Sequence, residues 1–355
     1  MRIGMFLAYW PWFSFEEQVK LSRLGDEVRL DSVWISEAWG HDAVSVLGYL
    51  AAKTERIALG SALMQIPARQ PTATAMAAVG LDVVSGGRFR LGLGLSGPQV
   101  SEGWYGVPFD SPIGRTREYV EIVRAALKRE PVVHDGKHWT LPLPADQGLG
   151  LGKPLRLLAT PVQQRIPIYL GAIGPQAVRQ TGEIADGWLP FLLDPEEPEV
   201  LLEHLRDGLD RSGRSITDMD ISPCAAACVA DTIDEARDAC RPLVSFYIGG
   251  MGAPKKNFYL QLAEQYGDGS SAHEVHRRWL AGDRAGAAAA VSDELIDRTS
   301  ICATPDTLES RLARYETMGA TSLLAIPFGN RDRTVRALAE ARGIHAQVST
   351  LIAEA

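Results

Sequence analysis

The stretch Ile166–Pro190, IPIYLGAIGPQAVRQTGEIADGWLP, constrains the fold more than any other part of this chain. The apolar run Ile166–Leu170 ends at Gly171, the loop Gly171-Ala-Ile-Gly174 runs into Pro175, and a helix-like segment continues to Ile184. Asp186-Gly187-Trp188-Leu189 then reads as a second buried strand. Strand, helix and strand in one short stretch make the two strands parallel, with the helix as their crossover. Pro175 suits a first helical turn, where its missing amide hydrogen costs nothing. The amides of Gln176, Ala177 and Val178 are then free, and with the glycine-rich loop they form a positively polarised cup that fits a phosphate. Two glycines and a proline at one helix start favour phosphate binding over a plain tight turn.

The same alternation runs through the whole chain. Arg2–Leu7, Ser32–Ser36, Ile57–Met64, Phe89–Leu95, Ile168–Leu170, Gly187–Leu189, Asp220–Val229 and Ser322–Ile326 read as short apolar strands. Helical patterns separate them: Ser14–Leu30, opened by the capping box Ser14-Phe-Glu-Glu17, a helix near Ala43–Lys53, then Thr72–Val84 and Arg117–Arg129. Eight such strands predict a closed (β/α)8 TIM barrel, with an open doubly wound sheet as the alternative. The 355 residues fit one such domain, and a hydrophobic content of 46% supplies its core.

No repeat or low-complexity linker divides the chain, so 1–355 reads as one domain with two insertions. The first, 131–165, follows strand four and carries Asp135-Gly136, a two-residue hairpin signal. The second, 231–320, follows strand seven and is mostly helical in pattern, broken at Gly249-Gly-Met-Gly252 and Gly267-Asp-Gly269. Such helices could cover a barrel mouth as a lid, or build the face of a homodimer or higher homo-oligomer.

The net charge of −8 argues against nucleic-acid binding. No apolar run reaches the ~18 residues of a membrane span. Met1 leads directly into Ile3–Leu7 without a basic region or cleavage pattern, so no signal peptide is expected. The four cysteines make no disulfide framework, and they read as reduced core residues of a cytoplasmic protein. No His/Cys set has ligand spacing, so no metal site is expected.

Gly92-Leu-Gly94-Leu-Ser-Gly97 matches G-x-G-x-x-G, but the glycines lie within and at the end of a strand. A dinucleotide fingerprint must open a helix at once, and Pro98–Gly106 reads as loop. Small residues at a strand's carboxyl end let a flat ring approach the backbone, or merely fill a tapered barrel interior; taken alone, the segment fits both. After strand two, Ser36-Glu37-Ala-Trp39-Gly-His41-Asp42 gathers proton-transfer groups and a stacking surface in one loop. Position favours a functional Glu37, whereas Asp42 reads first as a helix cap.

These residues resemble the luciferase-like barrel superfamily, and within it the branch that uses the deazaflavin coenzyme F420. The resemblance spans nearly the whole chain: Ser36-Glu-Ala-Trp39, Leu59-Gly-Ser-Ala-Leu-Met-Gln65, Ser85–Gly94, Ser96-Gly-Pro-Gln99 with Glu102-Gly-Trp104, Leu170–Ala177, Ala185-Asp-Gly-Trp188 and Tyr247-Ile-Gly-Gly-Met-Gly252. It implies an F420-dependent oxidoreductase that transfers hydride to or from a small organic substrate, most simply as an F420H2-dependent reduction. An FMN-dependent monooxygenase and a non-catalytic flavin-binding barrel are the alternatives.

By position, the resemblance implies a cis peptide between Ala62 and Leu63 against the coenzyme ring and Ser96 and Gly97 at the ring's other edge, with Gln65 and Gln99 as further coenzyme-binding residues. Gly174, Pro175, Gln176 and Ala177 match the phosphate cup, and Gly171 and Ala172, in the loop that leads into it, count among the coenzyme-binding residues. Glu37 aligns with an acid near the reacting carbon, and its loop position leads us to expect it to give or take the substrate's proton, with Trp39 packing on substrate or ring and His41 as the substitute proton carrier. Relatives that oxidise sugar phosphates follow that acid directly with histidine; Ala38 stands here, which argues against their substrate.

Overall fold

The computed structural model describes residues 1–9, 11–251 and 257–343. Eight parallel strands form its centre: β1 (Arg2–Leu7), β2 (Ser32–Ile35), β3 (Ala58–Ser61), β4 (Phe89–Gly94), β5 (Ile168–Leu170), β6 (Gly187–Trp188), β7 (Asp220–Ile221 continuing as Cys224–Val229) and β8 (Ser322–Pro327). Each pairs with its successor, and β8 pairs back onto β1 with Arg2 opposite Ser322. The ring therefore closes as a (β/α)8 barrel.

The delicate point of closure is β7, which Pro223 interrupts because it has no amide to donate. The backbone nevertheless runs on through the gap. Ser222 N–H donates to Trp188 O at 2.9 Å, Cys224 N–H to Pro190 O at 2.8 Å, and Leu324 N–H to Pro223 O at 2.9 Å. Both faces of every strand are covered, so the strands are near-continuous apolar runs without alternation.

Large side chains fill the barrel from below. Trp34 is fully buried and meets Tyr169 edge-on, with ring centroids 4.8 Å apart. Its indole lies where a Cβ on Gly60 would be, so the neighbouring strand must carry glycine there. Beneath them a polar belt ties distant strands together. Asp220 accepts from Tyr169 Oη at 2.7 Å and Ser322 Oγ at 2.9 Å and pairs with Arg2 at 2.8 Å, while Arg90 pairs with Asp31 at 2.7 Å.

Several sequence expectations change. The expected third strand Ile57–Met64 is two pieces, Ala58–Ser61 and Met64–Gln65, on either side of a cis peptide between Ala62 and Leu63. Pro98–Gly103, expected as loop, is a short helix that starts at Gly97, with Pro98 in its first turn. It belongs to a barrel strand's exit loop, not to a dinucleotide fold. In the first insertion, His134–Asp135 pairs antiparallel with Thr140–Leu141. The connection spans four residues, not the expected two, because Glu118 accepts from the amides of Lys137, His138 and Trp139 (2.9–3.2 Å) and holds the wider turn.

The second insertion is helical: Ile233–Gly250, Phe258–Gln265, Gly269–Leu280, Arg284–Ala289 and Asp293–Thr299. It also contains an unexpected strand, Ser300–Ala303, which pairs with Ala226–Val229 of β7. That run directly abuts a helix, so its periodicity is lost in the sequence. Gly249 and Gly250 lie against the Trp279 ring, which occupies the space of their absent side chains; Gly252 is outside the described residues. All four cysteines are buried and free.

Candidate active site

At the carboxyl end of β3 the chain turns inward. Ala62 N–H donates to Ile35 O at 2.8 Å, and Ser61 Oγ donates to Gly92 O and accepts from Gly92 N–H, both at 2.9 Å. The Leu63 side chain stands where a Cβ on Gly94 or Gly171 would be, and the Ser61 carbonyl takes the place of one on Gly92. These glycines thus make room for the inward-turned backbone and for Leu63, on which an open cleft rests. Ala62 and Leu63 line one part of it, Gly171, Ala172 and Ile173 another, and Phe6, Leu189 and Phe191 supply further apolar surface.

Beyond Gly171 the helix Pro175–Ile184 begins, with Gly174 as its cap residue in extended conformation. Val178 N–H, expected to be free, instead donates to Gly174 O at 2.9 Å and closes the first turn. The amides of Gln176 and Ala177 have no acceptor among the described residues, so the cup keeps two donors and the positive end of the helix. A Cβ on Gly174 would meet the Phe258 ring at 3.5 Å, an ordinary contact. The protein itself does not require glycine there.

Glu37 is buried just past β2, and its carboxylate is saturated. Arg69 grips it with both guanidinium nitrogens at 2.6 Å, and the amides of Ala43 (2.9 Å) and Gln65 (3.2 Å) complete the set. The carboxylate in turn holds the Arg69 guanidinium above its ordinary value, against burial. This pair ties the ends of β2 and β3 to the start of the helix Ala43–Ala51, whose free N-terminal amides welcome a negative charge. Asp42 caps that helix as expected, accepting from Ser45 N–H at 2.9 Å.

The family model for luciferase-like monooxygenases matches residues 1–322. The chain belongs to that family. Over 342 residues it is 39% identical to a Mycobacterium tuberculosis protein whose name assigns it to the coenzyme F420-dependent oxidoreductases, covering 96% of this chain and 98% of the relative. It is 32% identical over 333 residues to a 5,10-methylenetetrahydromethanopterin reductase of Archaeoglobus fulgidus, covering 92% and 93%. Among solved structures, the coenzyme F420-dependent tetrahydromethanopterin reductase of Methanopyrus kandleri superposes with a TM-score of 0.82 at 24% identity, covering 96% and 98%. That last likeness concerns the fold alone.

Within the family's barrel, the expected site residues fall into two sets. Ala62, Leu63, Gly171 and Ala172 line one cleft, and Gly174, Pro175, Gln176 and Ala177 form the adjoining helix start. Gln65, two residues beyond Leu63, is buried behind them, donating to Ser96 Oγ at 3.4 Å and accepting from Tyr105 Oη at 2.7 Å. Ser96 is left-handed, which turns the chain into Gly97 and the short helix carrying the exposed Gln99. The second set lies apart from the cleft lining. Trp39 is 51% exposed and leans on Tyr9 at 6.5 Å, and His41 is exposed against the edge of Phe15 at 6.2 Å.

The sequence reading missed Arg69, Phe6, Phe191, Cys224 and Tyr259. Arg69 sits in an unremarkable Ala-Arg-Gln run, and the others come from strands and helices far apart in the chain. Tyr247 opens the Tyr247–Gly252 motif, whose sequence by itself gives it no role.

Proposed function

We propose that this protein is a coenzyme F420-dependent oxidoreductase working as an F420H2-dependent reductase of a small organic substrate. The observation that carries the reading is the cleft itself: a backbone bulge accommodated by glycines, continuous with a helix start that keeps two free amides. Family membership and a 39% identical relative named for the same coenzyme support it. When bound, the deazaflavin supplies two-electron hydride chemistry, because carbon stands where a flavin has the nitrogen that works with oxygen.

The chain's own residues then have separate tasks. Ala62, Leu63, Gly171 and Ala172 would hold the ring, with Gln65, Ser96, Gly97 and Gln99 at its edges. Gly174, Pro175, Gln176 and Ala177 would hold the phosphate. Glu37, engaged by four donors, would position this wall by fixing Arg69 and the Gln65 amide. A proton-carrying role would require it to leave Arg69, so we assign Glu37 positioning; Trp39 and His41 stand outside the cleft and would act only through loop movement. Cytoplasmic location and a homodimer or higher homo-oligomer belong to the same proposal, the latter open to sedimentation velocity.

Titration with oxidised F420 and with FMN tests the cofactor, and we expect F420 to bind more tightly. Gly174→Ala should leave the melting temperature unchanged yet weaken coenzyme binding, since the added methyl has room against Phe258 but would narrow the close approach of a phosphate to the backbone at the helix start. Equal or tighter FMN binding with substrate-dependent oxygen consumption would replace this reading by a monooxygenase. A protein that binds F420 but whose bound coenzyme no substrate reoxidises would be a binding barrel.

A further inference from the structure

Two groups in the cleft have no task in hydride delivery. Tyr247, near the end of the helix Ile233–Gly250, and Tyr259, in the first turn of the helix Phe258–Gln265, both line it. Their rings lock each other in place, with centroids 5.0 Å apart and nearly perpendicular, and Phe191 packs 4.0 Å from Tyr247 and 6.1 Å from Tyr259. Phenol hydroxyls this deep ordinarily find a hydrogen-bond partner. Among the described residues neither does, and neither is sealed inside the core as the hydroxyl of Tyr315 is. Two unspent donors therefore share one wall of the cleft.

The rest of the lining limits what can meet them. Among the described residues it holds no charged side chain, only apolar groups and the Cys224 thiol, whose pKa burial pushes up and keeps neutral. A charged ligand would lose its hydration against this wall and find no counter-charge. Burial also raises both phenols, Tyr247 well above its ordinary value, so they remain donors throughout the neutral range.

We propose that Tyr247 and Tyr259 form a donor pair that receives the carbonyl oxygen of an uncharged, largely apolar ketone or aldehyde. The inference rests on the F420H2-dependent reading for its reductant. As the carbonyl carbon takes a hydride from the reduced deazaflavin, the C=O π pair moves onto oxygen. That oxygen takes a proton from the phenol it is hydrogen-bonded to, leaving an alcohol and a phenolate that solvent reprotonates, while the coenzyme, having given up hydride, releases its ring N–H proton to solvent and is left oxidised. An alkoxide is more basic than a phenolate, so the transfer runs downhill even from a raised phenol. Donors aimed at the oxygen stabilise it most when its charge is greatest.

The test uses acetophenone as the uncharged probe, benzoylformate as its anionic counterpart and ethylbenzene as the analogue without an acceptor. Calorimetric titration of the wild type, Tyr247→Phe and Tyr259→Phe is made with oxidised F420 bound and again without coenzyme. Each substitution should weaken acetophenone binding about five- to tenfold, the effect of one lost neutral hydrogen bond, and leave ethylbenzene unchanged. Benzoylformate should bind at least about tenfold more weakly than acetophenone to the wild type. Unchanged acetophenone affinity in both variants, or tighter binding of the anion, would overturn the proposal. If F420 fails to bind while the coenzyme-free protein shows the tyrosine effect, the donor pair stands and the coenzyme reading falls.

Discussion

At the scale of the residue, Glu37 shows how much position alone leaves open. A carboxylate at a strand's carboxyl end in a barrel is well placed for proton transfer, yet one gripped by a bidentate arginine and two amides has no free acceptor position. Glu37→Gln would leave Arg69 without its counter-charge in a mostly buried setting. We expect a loss of about 2–4 kcal/mol, somewhat below the usual cost of breaking a fully buried pair because Arg69 keeps 19% exposure. Guanidinium unfolding midpoints measure it. A variant of wild-type stability whose turnover falls by ~10²-fold or more would instead make Glu37 the proton carrier.

Among the elements, the small hairpin of the first insertion depends on a residue outside itself. Glu118, on the helix Pro112–Leu127, accepts from three successive amides of the turn, and its Oε2 lies 3.3 Å from His134 Nε2. Burial opposes its ionisation, but those donors hold its pKa below the ordinary value. Glu118→Ala should free the amides of Lys137, His138 and Trp139, and hydrogen exchange there should accelerate while the barrel strands keep their protection. Equal exchange in wild type and variant would mean that the hairpin holds itself together. The helices of the second insertion follow the same logic, since they carry Tyr247 and Tyr259 to a mouth built by other elements.

For the whole molecule, closure of the ring brings charge to the barrel floor. Burial raises the cost of ionising Asp220, yet Thr321, Arg2, Tyr169 and Ser322 together hold its pKa below the ordinary value. A carboxyl with a lower folded than unfolded pKa contributes its full stability above the unfolded value of about 3.9 and loses it as pH falls through the folded value. We therefore expect the melting temperature to fall below about pH 4, and Asp220→Asn to start lower at neutral pH with a flatter acid limb. An acid limb of unchanged steepness in the variant would assign the acid sensitivity to other carboxylates.

The alternation of apolar runs and amphipathic segments determined a parallel α/β fold by itself, because each element's period and length are local properties, whereas the choice of a closed barrel over an open sheet came from the pairing of β8 with β1. The Gly171–Ala177 segment was legible for the same reason: strand end, glycine turn and helix start are neighbours in the chain. Asp42 could be assigned as a cap from its immediate context. Tertiary structure alone decided the rest. The partner of Glu37 is 32 residues away in a segment without a motif, and the mate of Glu118 is a turn whose own sequence suggested a shorter loop. The strand Ser300–Ala303 exists because an edge of β7 awaits it. Gly92 and Gly171 are explained only when Ser61 and Leu63 arrive from another strand to occupy the space their missing side chains leave. Such features depend on contacts between distant segments, and the period of a single element carries no record of them.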